Sequence, residues 1–233
     1  MKDIENIFLD LDSNIIHSVV ILDSSQDKSN TNKKNIQNRS KNYKVGISKD
    51  SSNNLKYYDY FDIEDKETYR IYLRPYLEEF LDYIFENYNV SVFTAADKPY
   101  ALFIAENIIN NENRKLEYVF WDYHTYISEK LYSQHKSMRM IQDVFKLDNY
   151  NLNNTVIMDD NYHVYFPQKN NCIISIPFYS KNVKTYNSDN FLKNLLKMIK
   201  DRRDIDYINK QTINYLKKNK INLTDQEKDD DLY

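Results

Sequence analysis

Asn6-Ile7-Phe8-Leu9-Asp10-Leu11-Asp12 is a short apolar run that ends in two acids. A run this short, with carboxylates at its end, suits a parallel strand buried on both faces. Ligands of open α/β sheets bind outside the carboxyl ends of the strands, so chemistry is expected where Asp10 and Asp12 stand. The pattern recurs: Val90-Ser91-Val92-Phe93 stops at Thr94, and Thr155-Val156-Ile157-Met158 runs into Asp159 and Asp160. Segments 118–121 and 172–176 are further strand candidates.

Helical spacing fills the intervals. Pro75 opens a helix at a position where a missing N–H costs nothing, and Tyr76, Leu77, Phe80, Leu81, Ile84 and Phe85 recur along one face. Asp97 caps a second helix, with Pro99 and Tyr100 in its first turns and Leu102, Ile104, Ala105 and Ile108 on one side. Helices are also expected over 133–145, 189–200 and 204–217. Strands alternating with helices predict a doubly wound α/β domain with a parallel sheet. Two tyrosine-rich runs, 56–63 and 68–73, straddle Glu64-Asp65-Lys66-Glu67 and predict a small β-hairpin insertion. No large cap domain is expected. Segment 24–54 is almost wholly Ser, Asn, Lys, Asp and Gln, too little apolar surface to offset the entropy of ordering it, and reads as a flexible insertion. The expected organisation is one domain over 1–220 and an acidic disordered tail over 221–233.

Composition narrows the class. One cysteine among 233 residues, Cys172, excludes an internal disulfide, and its apolar neighbours suggest a buried side chain. A formal net charge of -3 argues against broad attraction to nucleic acid. No apolar run approaches the roughly 20 residues of a membrane span. The opening residues enter a strand-like run rather than the longer apolar core of a secretory signal, so an intracellular location, cytoplasmic or nuclear, is expected.

Two acids one residue apart at a strand end suit phosphoryl transfer. A carboxylate nucleophile divides hydrolysis into two steps, and a second acid donates and later retrieves a proton. Asp-x-Asp taken alone also serves to cap a loop. Four blocks in order separate the readings. Asp10 through Ser18 follows the signature Asp-Leu-Asp-x-Thr-Leu-Val-His-Ser, with Asn14 in place of threonine. Leu73-Arg74-Pro75 leads into a helix and then into Val92-Phe93-Thr94-Ala95. Lys136 matches a lysine that opens a helix, and Val156-Ile157-Met158-Asp159-Asp160 matches a strand ending in two acids. In these blocks the chain resembles the NLI-interacting-factor-like group of C-terminal-domain phosphatases, within the haloacid dehalogenase (HAD) superfamily. The resemblance covers roughly 7–216, apart from the 24–54 run.

The resemblance implies a HAD-like fold and a Mg²⁺-dependent protein serine/threonine phosphatase that works through an aspartyl phosphate. It implies Asp10 as nucleophile, Asp12 as general acid and then base, and Thr94 as a hydrogen-bond donor to phosphate. Lys136 would neutralise phosphate charge, with Asp159 as its partner. Asp10, the Asp12 backbone carbonyl and Asp160 would hold Mg²⁺. A phosphoprotein or phosphopeptide is the implied partner, the repeated tail of RNA polymerase II among them. Two departures bear on rate and specificity: Asn14, and the stretch holding Trp121, Tyr123 and His124, where arginines are expected. His17 is expected to support the nucleophile loop, and His124, His135 and His163 form no recognisable metal spacing. A HAD-fold binding module without turnover, and a phosphatase for small molecules or nucleic-acid ends, are the alternatives.

Overall fold

The computed structural model describes residues 3–21, 44–49, 55–64, 68–179, 186 and 188–221. In chain order, β1 (Asn6–Leu9) precedes β2 (Ile16–Ile21), β3 (Lys44–Lys49), β4 (Leu55–Glu64) and β5 (Thr68–Leu73). Then come α1 (Leu77–Asn87), β6 (Asn89–Phe93), α2 (Lys98–Ile104, extended by a π-helical turn over Ala105–Ile109), β7 (Val119–Phe120) and α3 (Asp122–Tyr132). The chain continues through α4 (Met138–Met140, extended by a π-helical turn over Ile141–Phe145), β8 (Thr155–Asp159) and α5 (Tyr162–Tyr165, running into a 3₁₀ helix over Phe166–Asn171). Beyond these lie β9 (Cys172–Ile174), α6 (Phe191–Lys200) and α7 (Ile205–Lys218).

Five strands form a parallel sheet in the order β7-β6-β1-β8-β9. The fold is therefore the expected α/β class. Leu9 sits beside Val92 on one side and Met158 on the other, so the residues just past these positions converge at one edge of the sheet. Strand order reverses around β1, where a crevice opens in doubly wound sheets. Alternation along β1 serves both faces. Ile7 and Leu9 enter one apolar cluster with Leu81 and Ile84 of α1 and Leu195 of α6. Phe8 enters the other with Phe120, Met140 and Ile157. At the edge, Asn209 of α7 accepts from the Ile174 N–H at 2.9 Å and donates to the Cys172 carbonyl at 2.8 Å, covering β9 against strand addition.

A second, antiparallel sheet has the order β2-β5-β4-β3. The expected hairpin is its centre, β4 and β5. Pairing with β5 makes a strand of Ile16–Ile21, and pairing with β4 makes one of Lys44–Lys49, inside the run whose composition predicts no order. The remainder of 24–54, and the tail beyond Ile221, lie outside the described residues.

Local differences have physical causes. Pro75 does not itself stand in the helix: Tyr76 takes a left-handed conformation (φ 67°) and α1 begins at Leu77. In place of one helix over 133–145, α3 ends at Ser133 (φ 53°), a loop carries Lys136, and α4 begins at Met138. Side chains hold that loop. Gln168 accepts from the Met138 N–H at 3.0 Å and donates to the Lys136 carbonyl at 2.7 Å. Ser128 accepts from the Ser137 N–H and donates to the Gln134 carbonyl, both at 2.7 Å.

Arg74, fully buried after β5, ties the two sheets to α6. Its guanidinium donates to Asp189 at 2.9 and 3.1 Å and to the Asn14 carbonyl at 2.7 Å, and it lies 4.5 Å from the Phe191 ring centroid. Removing one partner of a buried pair leaves an uncompensated charge. Asp189→Ala is expected to cost about 3 kcal/mol, the low end of the range because Asp189 retains some solvent contact. Urea denaturation measures it.

Candidate active site

β1 ends at Leu9, and the Asp10 N–H donates to the Met158 carbonyl at 3.0 Å, extending the ladder one step. The chain then turns sharply. N–H groups of Asn14, Ile15 and Ile16 all point to the Leu11 carbonyl at 3.0 to 3.3 Å, with Ser13 left-handed (φ 56°). Asn14 locks this turn to β8: its Nδ2 donates to the Asp10 carbonyl and to the Met158 carbonyl, each at 3.0 Å. A threonine hydroxyl has one proton to give, whereas this amide has two. The Asn14 side chain therefore joins the loop after β1 to the strand that carries the other two acids.

Asp10, Asp159 and Asp160 are buried, and one carboxylate oxygen of each lies within 4.8 Å of the others. Lys136 Nζ donates to Asp10 Oδ1 at 2.6 Å and to Asp159 Oδ2 at 2.8 Å. Asp159 Oδ1 also accepts from the Asn161 N–H at 2.8 Å, so both oxygens of Asp159 are engaged. Burial pushes the Asp10 pKa from 3.8 up to about 7, against the pull of Lys136. Asp160 is raised well above the usual carboxylate range, by burial first and then by Asp10 and Asp159. Burial alone would depress Lys136, but Asp10 and Asp159 outweigh it and hold the ammonium above its ordinary value. Three carboxylates around one lysine leave an excess of negative charge in a dry place. Clustered hard oxygen donors of this kind fit a hard divalent cation.

Asp12 faces a different environment and is not part of the three-carboxylate group. Its Oδ1 accepts from Tyr100 OH at 2.7 Å and from Ser18 Oγ at 2.9 Å. Burial, and Asp12 beside it, push the Tyr100 phenol pKa well up. Thr94 lies just past β6, buried. Its hydroxyl accepts from the Ala96 N–H at 3.1 Å, which keeps its own proton available to donate.

Of the expected site residues, the structure gathers Asp10, Lys136, Asp159 and Asp160 into one contact group, places Asp12 two residues beyond Asp10, and sets Thr94 at the end of the neighbouring strand. Sequence reasoning missed Tyr100, Ser18 and Gln168 as parts of this surround. Tyr100 carries a weak signal, as a polar tip in the first turn of a helix that follows a strand end. No histidine joins Asp10, Asp159 and Asp160 in the group of possible metal ligands among the described residues. His124 accepts from the Trp121 N–H at 3.1 Å and lies tilted against the Phe120 ring, with burial depressing its pKa, so it closes the start of α3. His135 meets Glu129, and the His17 ring meets Tyr179 edge to face.

The donor role of Asn14 is directly testable. Asn14→Asp keeps the shape but sets a carboxylate against two carbonyl oxygens, and a loss above about 2 kcal/mol is expected. Asn14→Thr, retaining one donor, should lose less. Equal stabilities in urea would rule out the double bond as a support.

With this geometry in place, the comparisons with known proteins fall in line. The model of the NLI interacting factor-like phosphatase family matches residues 5–209. CTD phosphatase-like protein 355R of Invertebrate iridescent virus 6 is 38% identical over 126 residues, 52% of this chain and 69% of that protein. Its namesake in Invertebrate iridescent virus 3 is 31% identical over 135 residues, 55% of this chain and 72% of that protein. Among solved structures, Fcp1, an essential RNA polymerase II CTD phosphatase, is 21% identical with a TM-score of 0.46, covering 88% of this chain and 52% of Fcp1. Fission yeast Fcp1 bound to beryllium fluoride is 21% identical with a TM-score of 0.48, covering 97% and 55%. The chain thus spans about half the length of those solved structures. The family model covers most of the chain, from before β1 into α7, and the chain belongs to the NLI interacting factor-like phosphatases.

Proposed function

We propose that the chain is a Mg²⁺-dependent phosphatase acting on phosphoserine or phosphothreonine in proteins through an aspartyl phosphate on Asp10. One observation carries the reading: Lys136 bridges Asp10 and Asp159 in a buried site that Asp160 also enters. Asp10 and Asp160, with the Asp12 backbone carbonyl, would hold the cation, since Asp159 is committed to Lys136 and to the Asn161 N–H. When bound, magnesium supplies positive charge that stabilises the transferring phosphoryl group.

The remaining work falls to side chains. In the first half, a carboxylate oxygen of Asp10 bonds to phosphorus as the ester P–O bond breaks, and Asp12 gives its proton to the departing serine or threonine oxygen. In the second, Asp12 takes a proton from water as the water oxygen attacks phosphorus, and the electron pair of the P–O bond to Asp10 returns to that carboxylate. Lys136 holds Asp10 in place and offsets charge on the phosphoryl oxygens, and the Thr94 hydroxyl donates to one of them. An intracellular phosphoprotein is the substrate class this reading implies, and the name of the Fcp1 relatives makes the RNA polymerase II tail the first to try.

Phosphate release from p-nitrophenyl phosphate with Mg²⁺ tests the enzyme. Wild type should turn over, while Asp10→Asn and Lys136→Met should fall by at least about a thousandfold, as loss of a nucleophile or its charge partner entails. Equal inertness of all three across metals and pH would leave a binding module. A clear preference for phosphorylated sugars or oligonucleotide ends over phosphopeptides would overturn the substrate class.

The raised acid gives a second test. Asp10 in the folded protein binds its proton more tightly than in the unfolded chain, so its contribution to stability is full below pH 3.8 and is lost as pH rises through about 7. Protein treated with chelator should therefore melt lower at about pH 8 than at about pH 5, and Mg²⁺ should raise the melting temperature most at the higher pH. Asp10→Asn should weaken both dependences, with Asp160, raised first by burial, keeping part of them.

A further inference from the structure

Two donors from separate elements meet on one oxygen of Asp12. Tyr100 reaches it from α2, 88 residues along the chain, and Ser18 reaches it from β2 of the antiparallel sheet. Neither donor is loosely held. The Tyr100 N–H donates to Asp97 Oδ1 at 2.9 Å in the first turn of α2, and the Tyr100 ring packs against the apolar cluster under β1. Ser18 lies in the ladder of β2 and β5, opposite Ile71. A carboxylate torsion is broad and roughly two-fold when nothing fixes it. Here the 2.7 and 2.9 Å contacts hold Oδ1 from two sides and so favour one orientation of the carboxyl.

We propose that Tyr100, seconded by Ser18, is a positioning residue that holds the Asp12 carboxyl through Oδ1 in the orientation from which it exchanges a proton with the substrate oxygen. This rests on the reading of Asp12 as the general acid. As Asp10 bonds to phosphorus and the ester P–O bond breaks, the electron pair goes to the ester oxygen, which receives the proton from the Asp12 carboxyl and leaves as the alcohol. Asp12 is then a carboxylate whose Oδ1 still accepts from two neutral donors. A well-placed general acid is worth roughly 10² to 10⁴ in rate, and loss of orientation forfeits part of that. A buried phenol also needs a partner for purely structural reasons, so the test must separate the two roles.

Leaving-group dependence does so. A serine alkoxide departs only with a proton, whereas p-nitrophenolate departs without one. The quantity kcat/KM reports formation of the phosphorylated enzyme, the step in which the proton is donated. Tyr100→Phe keeps the ring, and its kcat/KM should fall at least about tenfold further on a phosphoserine peptide than on p-nitrophenyl phosphate. Ser18→Ala should show the same selectivity at smaller size. Equal losses on both substrates, or no loss, would show a structural hydroxyl and overturn the proposal. Asp12→Asn separates this failure from failure of the reading beneath it. If that variant discriminates between the substrates and Tyr100→Phe does not, only the positioning role falls; if Asp12→Asn does not discriminate, the general-acid assignment falls first and takes the proposal with it.

Discussion

The Lys136 ammonium stands between two carboxylates that arrive on different strands, Asp10 after β1 and Asp159 at the end of β8. Each of these groups is costly to bury alone, and a half-satisfied set would be worse than an apolar core. Parallel register removes that danger before any side chain acts. Leu9 pairs with Met158, so the residues that follow this pair, Asp10 and Asp159, emerge at the same height and are neighbours by construction. The lysine offsets the crowding of like charges that the sheet imposes.

Such a lysine must come from a backbone held as firmly as the strands, and the loop between α3 and α4 has no ladder of its own. Gln168 and Ser128 take the place of one. Both amide ends of Gln168 are used on the groups flanking Ser137, and the Ser128 hydroxyl is used twice on the same loop. Asn14 performs the equivalent task on the opposite side, holding the Asp10 carbonyl against the Met158 carbonyl. Neutral amides and hydroxyls thus fix the backbone from which the charged groups of this site reach one another.

This division explains what the sequence could and could not tell. Strands β1, β6 and β8 were legible because a buried parallel strand needs an unbroken apolar run, and the acids or threonine closing each run mark its end. Resemblance brought Lys136 into the expected set, since nothing local distinguishes it from its neighbours. Long-range bonding stayed hidden. Asn14 reads as a loop asparagine until Met158, 144 residues away, supplies an acceptor, and Tyr100 reads as core packing until Asp12 does. Strands β2 and β3 owe their order to partners rather than to their own composition, and the break at Ser133 owes its existence to Gln168 and Ser128. Propensity is local, whereas these features are set by what lies across the fold.

Asp10 and Asp12 finally show how two identical side chains, two positions apart, are made unlike. The turn at Leu11 lets them occupy different surroundings. Asp10 lies in a dry group with an ammonium 2.6 Å away, which favours its ionised form against the burial that resists it. Asp12 is less buried and accepts from the Tyr100 and Ser18 hydroxyls, which orient it. A nucleophile must be ionised when the substrate arrives, and a proton donor must be able to pass between both forms. In the proposed reaction, the ammonium beside one acid and the hydroxyls beside the other would sort these roles, as diverging environments do wherever paired carboxylates share one reaction.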